Sequence, residues 1–450
     1  DFLSRYNFTI DENDPEENEI GIDPEMLGHI FENLLEDNKD KGAFYTPKEI
    51  VKYMTQESLT EYLIVGLKSD NNDFDEDDVK SLRFFVKHKL RGDEVSTDQV
   101  NNNDLVNFYQ TQIEFIKKYG NKLNKLLDNV KICDPAIGSG AFPVGLLNEI
   151  FQCKLVLNNT YSAQERFELK KHIIENSIYG VDIEKGAVDI ARLRFWLSLI
   201  IEQQYPTPLP NLDYKIVVGN SLVGKLDNEI IEIDWELKDN SHGLFGQGLF
   251  KQKMQLLERI SKLQKEYFSP ESNKEILSSQ IRSMKIDLLM NQLELMIKSS
   301  GQFEIPIQTN YSKKKNFIEA TIKYNQTLIW KKTIDKLLRL RKNNKDLNYF
   351  DWRLDFPEVL NSEISGKEGF DIVIANPPYI SIRTKHFDTS LKELFKQKYQ
   401  LAVGQYDIYV LFLEKTYYLL TKNGIMSYII PKRMLSNENF ENARKFVLEY

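Results

Sequence analysis

From Val130 onward the chain alternates short apolar runs with helical stretches, and each of the leading runs closes on a polar side chain. Strand-helix alternation specifies a parallel sheet, because a crossover must intervene before the next strand can lie alongside in the same direction. The pattern predicts strands at Lys131 to Asp134, Ile178 to Asp182, Lys215 to Asn220, Phe370 to Asn376 and Gly424 to Ile430. Helices are predicted over about 141–153 and 163–176. In such sheets ligands bind beyond the carboxyl ends of the strands, so the residues that close these runs are the first candidates for a site.

The fourth strand ends in Asn376-Pro377-Pro378-Tyr379. Prolines cannot donate ladder hydrogen bonds and hold φ near one value, so the strand must stop and present a rigid loop. That loop carries an amide, bare carbonyls and an aromatic ring, a set suited to gripping a planar group that bears an amino function. A simple strand terminator with Tyr379 packed beneath it would have the same four residues. The choice depends on the rest of the chain.

The first strand runs into Asp134-Pro135-Ala136-Ile137-Gly138-Ser139-Gly140 and then a helix. Gly138 and Gly140 allow tight backbone geometry and close approach of a ligand. The spacing is not that of a dinucleotide loop, since Pro143 stands three residues after Gly140. The aspartate ahead of the glycines suits a cation better than a pyrophosphate. Asp182, at the end of the second strand, is placed to accept hydrogen bonds from ribose hydroxyls, and Asn220-Ser221 after the third offers an amide for an adenine edge. Each is also compatible with an ordinary turn, but in succession on one sheet edge they favour a nucleoside site.

Upstream, Asp23-Pro24 and the spacing of Leu27, Ile30, Phe31 and Leu34 predict a first helix to about Leu35. Thr46-Pro47-Lys48-Glu49 is a capping box with proline at the first helical position. The acidic run Asp70 to Asp78 reads as a solvated loop, followed by helix to about Leu127. Between the third and fourth strands, Leu256, Ile260, Leu263 and Tyr267, a break at Ser269-Pro270, and Leu277, Ile281, Met284 and Leu288 predict a helical hairpin, a packing arm. Lys313, Lys314, Lys315, Lys331 and Lys332 read as its solvated face. The resulting division is 1–129 helical, 130–223 and 351–450 as two halves of one sheet domain, and 224–350 as an insertion.

Composition narrows the class. With 450 residues and 41% hydrophobic content the chain can bury a large core, and no run reaches membrane-span length. A cytoplasmic location is expected. The formal charge of -8 argues against a uniformly basic nucleic-acid binder. Cys133 and Cys153 are too few for a disulfide framework, and no Cys/His cluster has metal-ligand spacing, so no metal is expected. Neither cysteine follows a proline, and the five histidines are scattered.

Taken in order, Gly42-Ala43-Phe44-Tyr45-Thr46-Pro47, Asp134-Pro135-Ala136-x-Gly-Ser-Gly, Asp182, Asn220 and Asn376-Pro377-Pro378-Tyr379 resemble the motifs of γ-class DNA adenine-N6 methyltransferases. Asp351-Trp352-Arg353-Leu354-Asp355-Phe356-Pro357-Glu358-Val359 is similar to the segment before the catalytic strand in type IIG restriction-modification enzymes and BREX methyltransferases. The resemblance implies a Rossmann-like α/β sheet that uses S-adenosylmethionine, with an N-terminal helical region and a helical insertion. It implies cofactor contacts from Tyr45, Thr46, Asp134, Ala136, Gly138, Gly140, Asp182, Ile183, Asn220 and Ser221. Asp134 would face the cationic methionine end, Ile183 would pack on the adenine ring, and Tyr45 and Thr46 would close over the methionine moiety. Thr46 as a helix cap accounts for its identity equally well.

The same resemblance makes Asn376, Pro377, Pro378 and Tyr379 the catalytic set, acting on a flipped adenine of double-stranded DNA, and leaves Tyr406 and Asp407 as possible contacts. Other substrates use the same four residues, including amide or amino nitrogens of protein or RNA, and a non-catalytic scaffold that positions DNA is a further reading. The upstream Phe44 to Pro47 order favours DNA adenine. Glu168-x-Lys170 and Glu236-x-Lys238 match a nuclease triplet but sit between methyltransferase elements and are rejected. The chain begins without Met and ends at Tyr450, so it reads as a fragment whose target-recognition domain, and any nuclease, lie elsewhere.

Overall fold

Buried β-branched runs and capped helices build the sheet that the pattern predicts. In the computed structural model the described residues are 46–69, 73–91, 103–158, 161–203, 208–227, 229–237, 244–308, 314–384 and 387–449. The expected helix over Pro24 to Leu35, Tyr45 and Lys313 lie outside them. Five parallel strands, β1 (Ile132–Asp134), β2 (Ile178–Asp182), β3 (Ile216–Val218), β6 (Phe370–Ala375) and β7 (Leu420–Tyr428), lie in the order β3-β2-β1-β6-β7. A separate two-stranded ladder joins β4 (Lys225–Leu226) to β5 (Glu229–Ile230). The five-stranded order is that of a Rossmann-like methyltransferase sheet.

Every residue of β1 and of β6 is buried, as expected of central parallel strands. Cys133 pairs with Tyr179 on one side and Val373 on the other, so its strand neighbours are core, and Cys133 and Cys153 are both buried. Strand order reverses between β1 and β6, which places the end of β1 and the end of β6 at a topological switch point. The β6–β7 register shifts beside Phe370, where Asn423 has φ 64° and a Cβ on Gly424 would meet the Phe370 carbonyl at 3.0 Å. This bulge is why β7 starts at Leu420 rather than at Gly424.

Helices α1 (Lys48–Ser69), α2 (Glu76–His88) and α3 (Asn103–Asn129) precede the sheet. The acidic run is therefore only partly a loop. Asp75 caps α2, accepting from the backbone N–H groups of Asp77 and Asp78, while Asp78 returns to the Asp75 N–H. An aspartate in the place usually taken by glutamate hides this capping box within a charge run. Between β1, β2 and β3 come α4 (Ala141–Leu157), α5 (Ala163–Ser177), which starts on a Ser162–Glu165 capping box, and α6 (Lys185–Ile200). Helix α1 packs on α4 and on β6 and β7, and Gly145 of α4 allows the approach, since a Cβ there would lie 2.9 Å from Val51.

The chain divides into two compact units, one made of the described residues up to Leu222 and from Glu368 onward, the other Val223–Lys367. The second holds α7 (Leu244–Phe268), α8 (Lys274–Ser300) and α9 (Lys314–Lys342). The predicted hairpin is thus joined by a third long helix, whose sparse apolar spacing gave little signal. Lys314, Lys315, Lys331 and Lys332 are exposed on it. The sequence division placed 351–367 with the catalytic half, yet in the structure these residues group with the insertion. Leu354 enters the core with Leu257, Ile260, Ile286, Leu293 and Tyr349, and Lys285 pairs with buried Asp355 at 2.5 Å. Phe350 meets Trp352 and Phe356 edge-on, and Trp352 and Phe356 tilt against each other.

Candidate active site

Parallel pairing brings the strand ends to one edge of the sheet. Asp134, at the end of β1, is buried and accepts from the Ala136 N–H at 2.9 Å. Burial pushes its carboxyl well above the ordinary carboxylate range, opposed by the Ala136 N–H and reinforced by the Asp182 charge. Asp182, at the end of β2, accepts from the Gly138 N–H and the Glu184 N–H, each at 2.9 Å. Its carboxyl is also raised by burial, less the effect of those amides. A pair of desolvated acids on one edge favours a cationic or hydroxyl-rich ligand.

The glycine loop between β1 and α4 is tied from several directions. Ile137 N–H donates to the Val181 carbonyl at 3.0 Å, Arg194 of α6 to the Ser139 carbonyl at 3.2 Å, and Ser221 Oγ to the Pro135 carbonyl at 2.6 Å. Gly138 has φ +51° and a Cβ there would meet nothing within 4 Å, so the loop faces open space at that residue. Gly140 differs. It has φ +85° and a Cβ would lie 3.1 Å from Ala191 Cβ, so its bareness serves the packing of the loop on α6. Gly180 in β2 makes room for Ile137, whose Cδ1 would lie 2.2 Å from a Cβ.

Ile183, next after Asp182, is 64% exposed, an apolar side chain left in water at the sheet edge. An open glycine, desolvated acids and an exposed isoleucine together fit a nucleoside with a cationic tail. Asn220 Oδ1 accepts from the Leu222 N–H at 2.9 Å, which turns the chain, and the Leu222 carbonyl accepts from Tyr399 at the end of α10 (Thr389–Lys398). The Ser221 hydroxyl is buried against Pro135, so its visible work is to brace the loop.

Beyond β6, Asn376 stands half-buried with both ends of its amide engaged. Its Nδ2 donates to Thr46 Oγ1 at 3.2 Å, and its Oδ1 accepts from the Tyr379 hydroxyl at 2.5 Å. Tyr379 also reaches the Ile429 carbonyl at 3.0 Å, just beyond β7, where Ile429 N–H donates to Ala375. Its single hydroxyl hydrogen is divided between two acceptors, so one is released when the other is served. Burial pushes the Tyr379 phenol up to about 12, which keeps that hydrogen in place at neutral pH. The ring is half-buried and meets Tyr409 edge-on at 6.0 Å.

The loop after Tyr379 is pinned by a short antiparallel bridge between Ser381 and Asp407, with Ile408 N–H donating to Ile380 at 2.8 Å. Asp407, the N-cap of α11 (Ile408–Leu419), is buried and forms an ion pair with Arg433. Tyr406 is buried as well. These two act on the loop from behind. Ile429, Arg433 and Tyr399 carried no sequence signal, since each reaches the site through chain folded back from tens of residues away. Lys170, from the rejected nuclease triplet, is committed to a buried pair with Glu202. Among the described residues no cluster of His, Cys, Asp and Glu could hold a metal ion, and no helix is long and apolar enough to cross a membrane.

A family model described as Eco57I restriction-modification methylase matches residues 176–450. The chain is 28% identical over 480 residues to the putative type II restriction enzyme and methyltransferase RM.MjaORFECS2P of Methanocaldococcus jannaschii, which covers 99% of this chain and 36% of that protein. It is 37% identical over 83 residues to the type II restriction enzyme and methyltransferase RM.Eco57I of Escherichia coli, covering 18% of this chain and 8% of that one. The adenine-specific methyltransferase BrxX of Escherichia coli is 22% identical over 327 residues, 72% of this chain and 23% of its own length. The chain spans about a third of the first of these relatives and less of the other two.

Proposed function

The chain belongs to the Eco57I restriction-modification methylase family, and on that premise we propose that it methylates adenine N6 in DNA with S-adenosylmethionine as donor. One observation carries the reading. The Asn376 amide and the acids Asp134 and Asp182 stand at the ends of neighbouring strands on either side of the switch point, an amino-group clamp beside a site suited to a cationic nucleoside.

Asp134 holds the cationic end of the donor, Asp182 its ribose, Gly138 gives its backbone room, and exposed Ile183 covers the adenine face. When bound, S-adenosylmethionine would supply a sulfonium methyl: N6 attacks its carbon, the carbon–sulfur bond breaks to leave a neutral thioether, and one amino proton then leaves N6 for solvent. The lone pair of adenine N6 is delocalised into the ring and is a poor nucleophile. Asn376 Oδ1 and the Pro377 carbonyl accept the two amino hydrogens, draw N6 towards tetrahedral geometry and localise the pair. Tyr379 stacks on the flipped base and turns its hydroxyl hydrogen to Ile429, which frees an Asn376 Oδ1 lone pair for the amino group. Orientation supplies much of the acceleration, and no covalent enzyme intermediate is needed. The target-recognition region, and any nuclease, are assigned to other parts of the complete protein.

The test is to supply the complete protein with labelled S-adenosylmethionine and DNA of varied sequence, alongside Asn376→Ala. N6-methyladenine from the parent and its loss in the variant are expected. No N6-methyladenine from the parent, or equal product from both, would sink the assignment.

A further inference from the structure

Resting on that methyl transfer, we propose that Thr46 is a positioning residue that sets which way round the Asn376 amide faces. Thr46 stands just ahead of α1, only 9% exposed, and α1 is fixed by its packing on α4, β6 and β7. Its hydroxyl accepts from Asn376 Nδ2 across 330 residues of sequence.

An asparagine amide is nearly symmetric in shape, yet half a turn about its last torsion exchanges an acceptor for a donor. The flipped amide would set N–H against the N–H groups of the substrate and could not draw on the amino hydrogens. With the Thr46 hydrogen directed elsewhere its oxygen can only accept, which favours the orientation that points Nδ2 at Thr46 and turns Oδ1 to the side reached by Tyr379. The Thr46 hydroxyl keeps one hydrogen of its own to donate, so a contact to the donor's carboxylate and the hold on Asn376 are compatible. Valine keeps the shape of threonine but removes donor and acceptor together, whereas serine keeps both.

Thr46→Val and Thr46→Ser are made in the complete protein. Turnover is measured at saturating S-adenosylmethionine, affinity for it by calorimetry, and the Asn376 side chain by crystallography. For Thr46→Val, kcat at saturating S-adenosylmethionine falls about tenfold, the equivalent of one lost hydrogen bond, whether or not the Kd also weakens. The Asn376 amide becomes displaced or split, and Thr46→Ser restores both kcat and order. An unchanged kcat, or a loss confined to Kd, overturns the proposal. If the parent makes no N6-methyladenine, the functional reading fails, and the crystals still decide this one. A single, unmoved Asn376 amide in Thr46→Val overturns it, whereas displacement that Thr46→Ser corrects supports it.

Discussion

At the residue scale, Asp134 is a carboxylate that folding has taken out of water, and its protonation carries a measurable consequence. Its raised pKa means that the free protein is stabilised below the ordinary carboxylate range and loses that contribution as pH rises through the raised value. A bound cation reverses the preference and favours the ionised form. Binding of S-adenosylmethionine is therefore expected to release protons and to tighten as pH rises from the ordinary carboxylate range towards neutrality. In Asp134→Asn most of this slope disappears and affinity falls by about tenfold or more, as calorimetry in buffers of different ionisation enthalpy will read. A slope of unchanged steepness in the variant contradicts the assignment. The identity of Asp134 and its place at a strand end are legible in sequence, because a polar residue that closes an apolar run is a local pattern. Its protonation state is not, since desolvation is a property of everything packed around it.

At the scale of elements, the loop between β1 and α4 separates two reasons for glycine. Gly138 has positive φ and open space, so Gly138→Ala meets only the left-handed penalty of about 1–2 kcal/mol and places a methyl in the space proposed for the donor. Gly140→Ala meets the same penalty and also Ala191, both its Cβ at 3.1 Å and its backbone Cα at 3.3 Å. The expected outcome is a crossed pattern. Gly138→Ala loses affinity for S-adenosylmethionine out of proportion to its melting temperature, and Gly140→Ala loses stability first. Equal effects of both substitutions on both measurements would remove the distinction. Sequence marked the two glycines alike, as permissive residues in a turn. Which of them faces open space and which faces a helix depends on α6, brought back over the loop from the next crossover.

At the scale of the whole molecule, the Val223–Lys367 unit has its own apolar core and a buried ion pair within it. Asp355 is raised by burial and drawn down by Lys285, so Lys285→Ala leaves a buried acid without its counter-charge. A loss of roughly 3–5 kcal/mol is expected for that unit. Hydrogen exchange should show it in the helices Lys274–Ser300 and Leu244–Phe268, and unchanged protection there contradicts the role given to the pair. The sequence by itself determined the parallel α/β sheet, the ends of its first two strands at Asp134 and Asp182, and the Asn376 to Tyr379 loop, because periodicity, proline chemistry and strand termination are all local. Tertiary structure alone decided that Asp351 to Val359 packs with the insertion, that Ser221 braces the Pro135 loop, and that the Thr46 hydroxyl meets Asn376. These are contacts between distant segments. Chain pattern records which residues are available for such contacts, and only the closed core selects the partner.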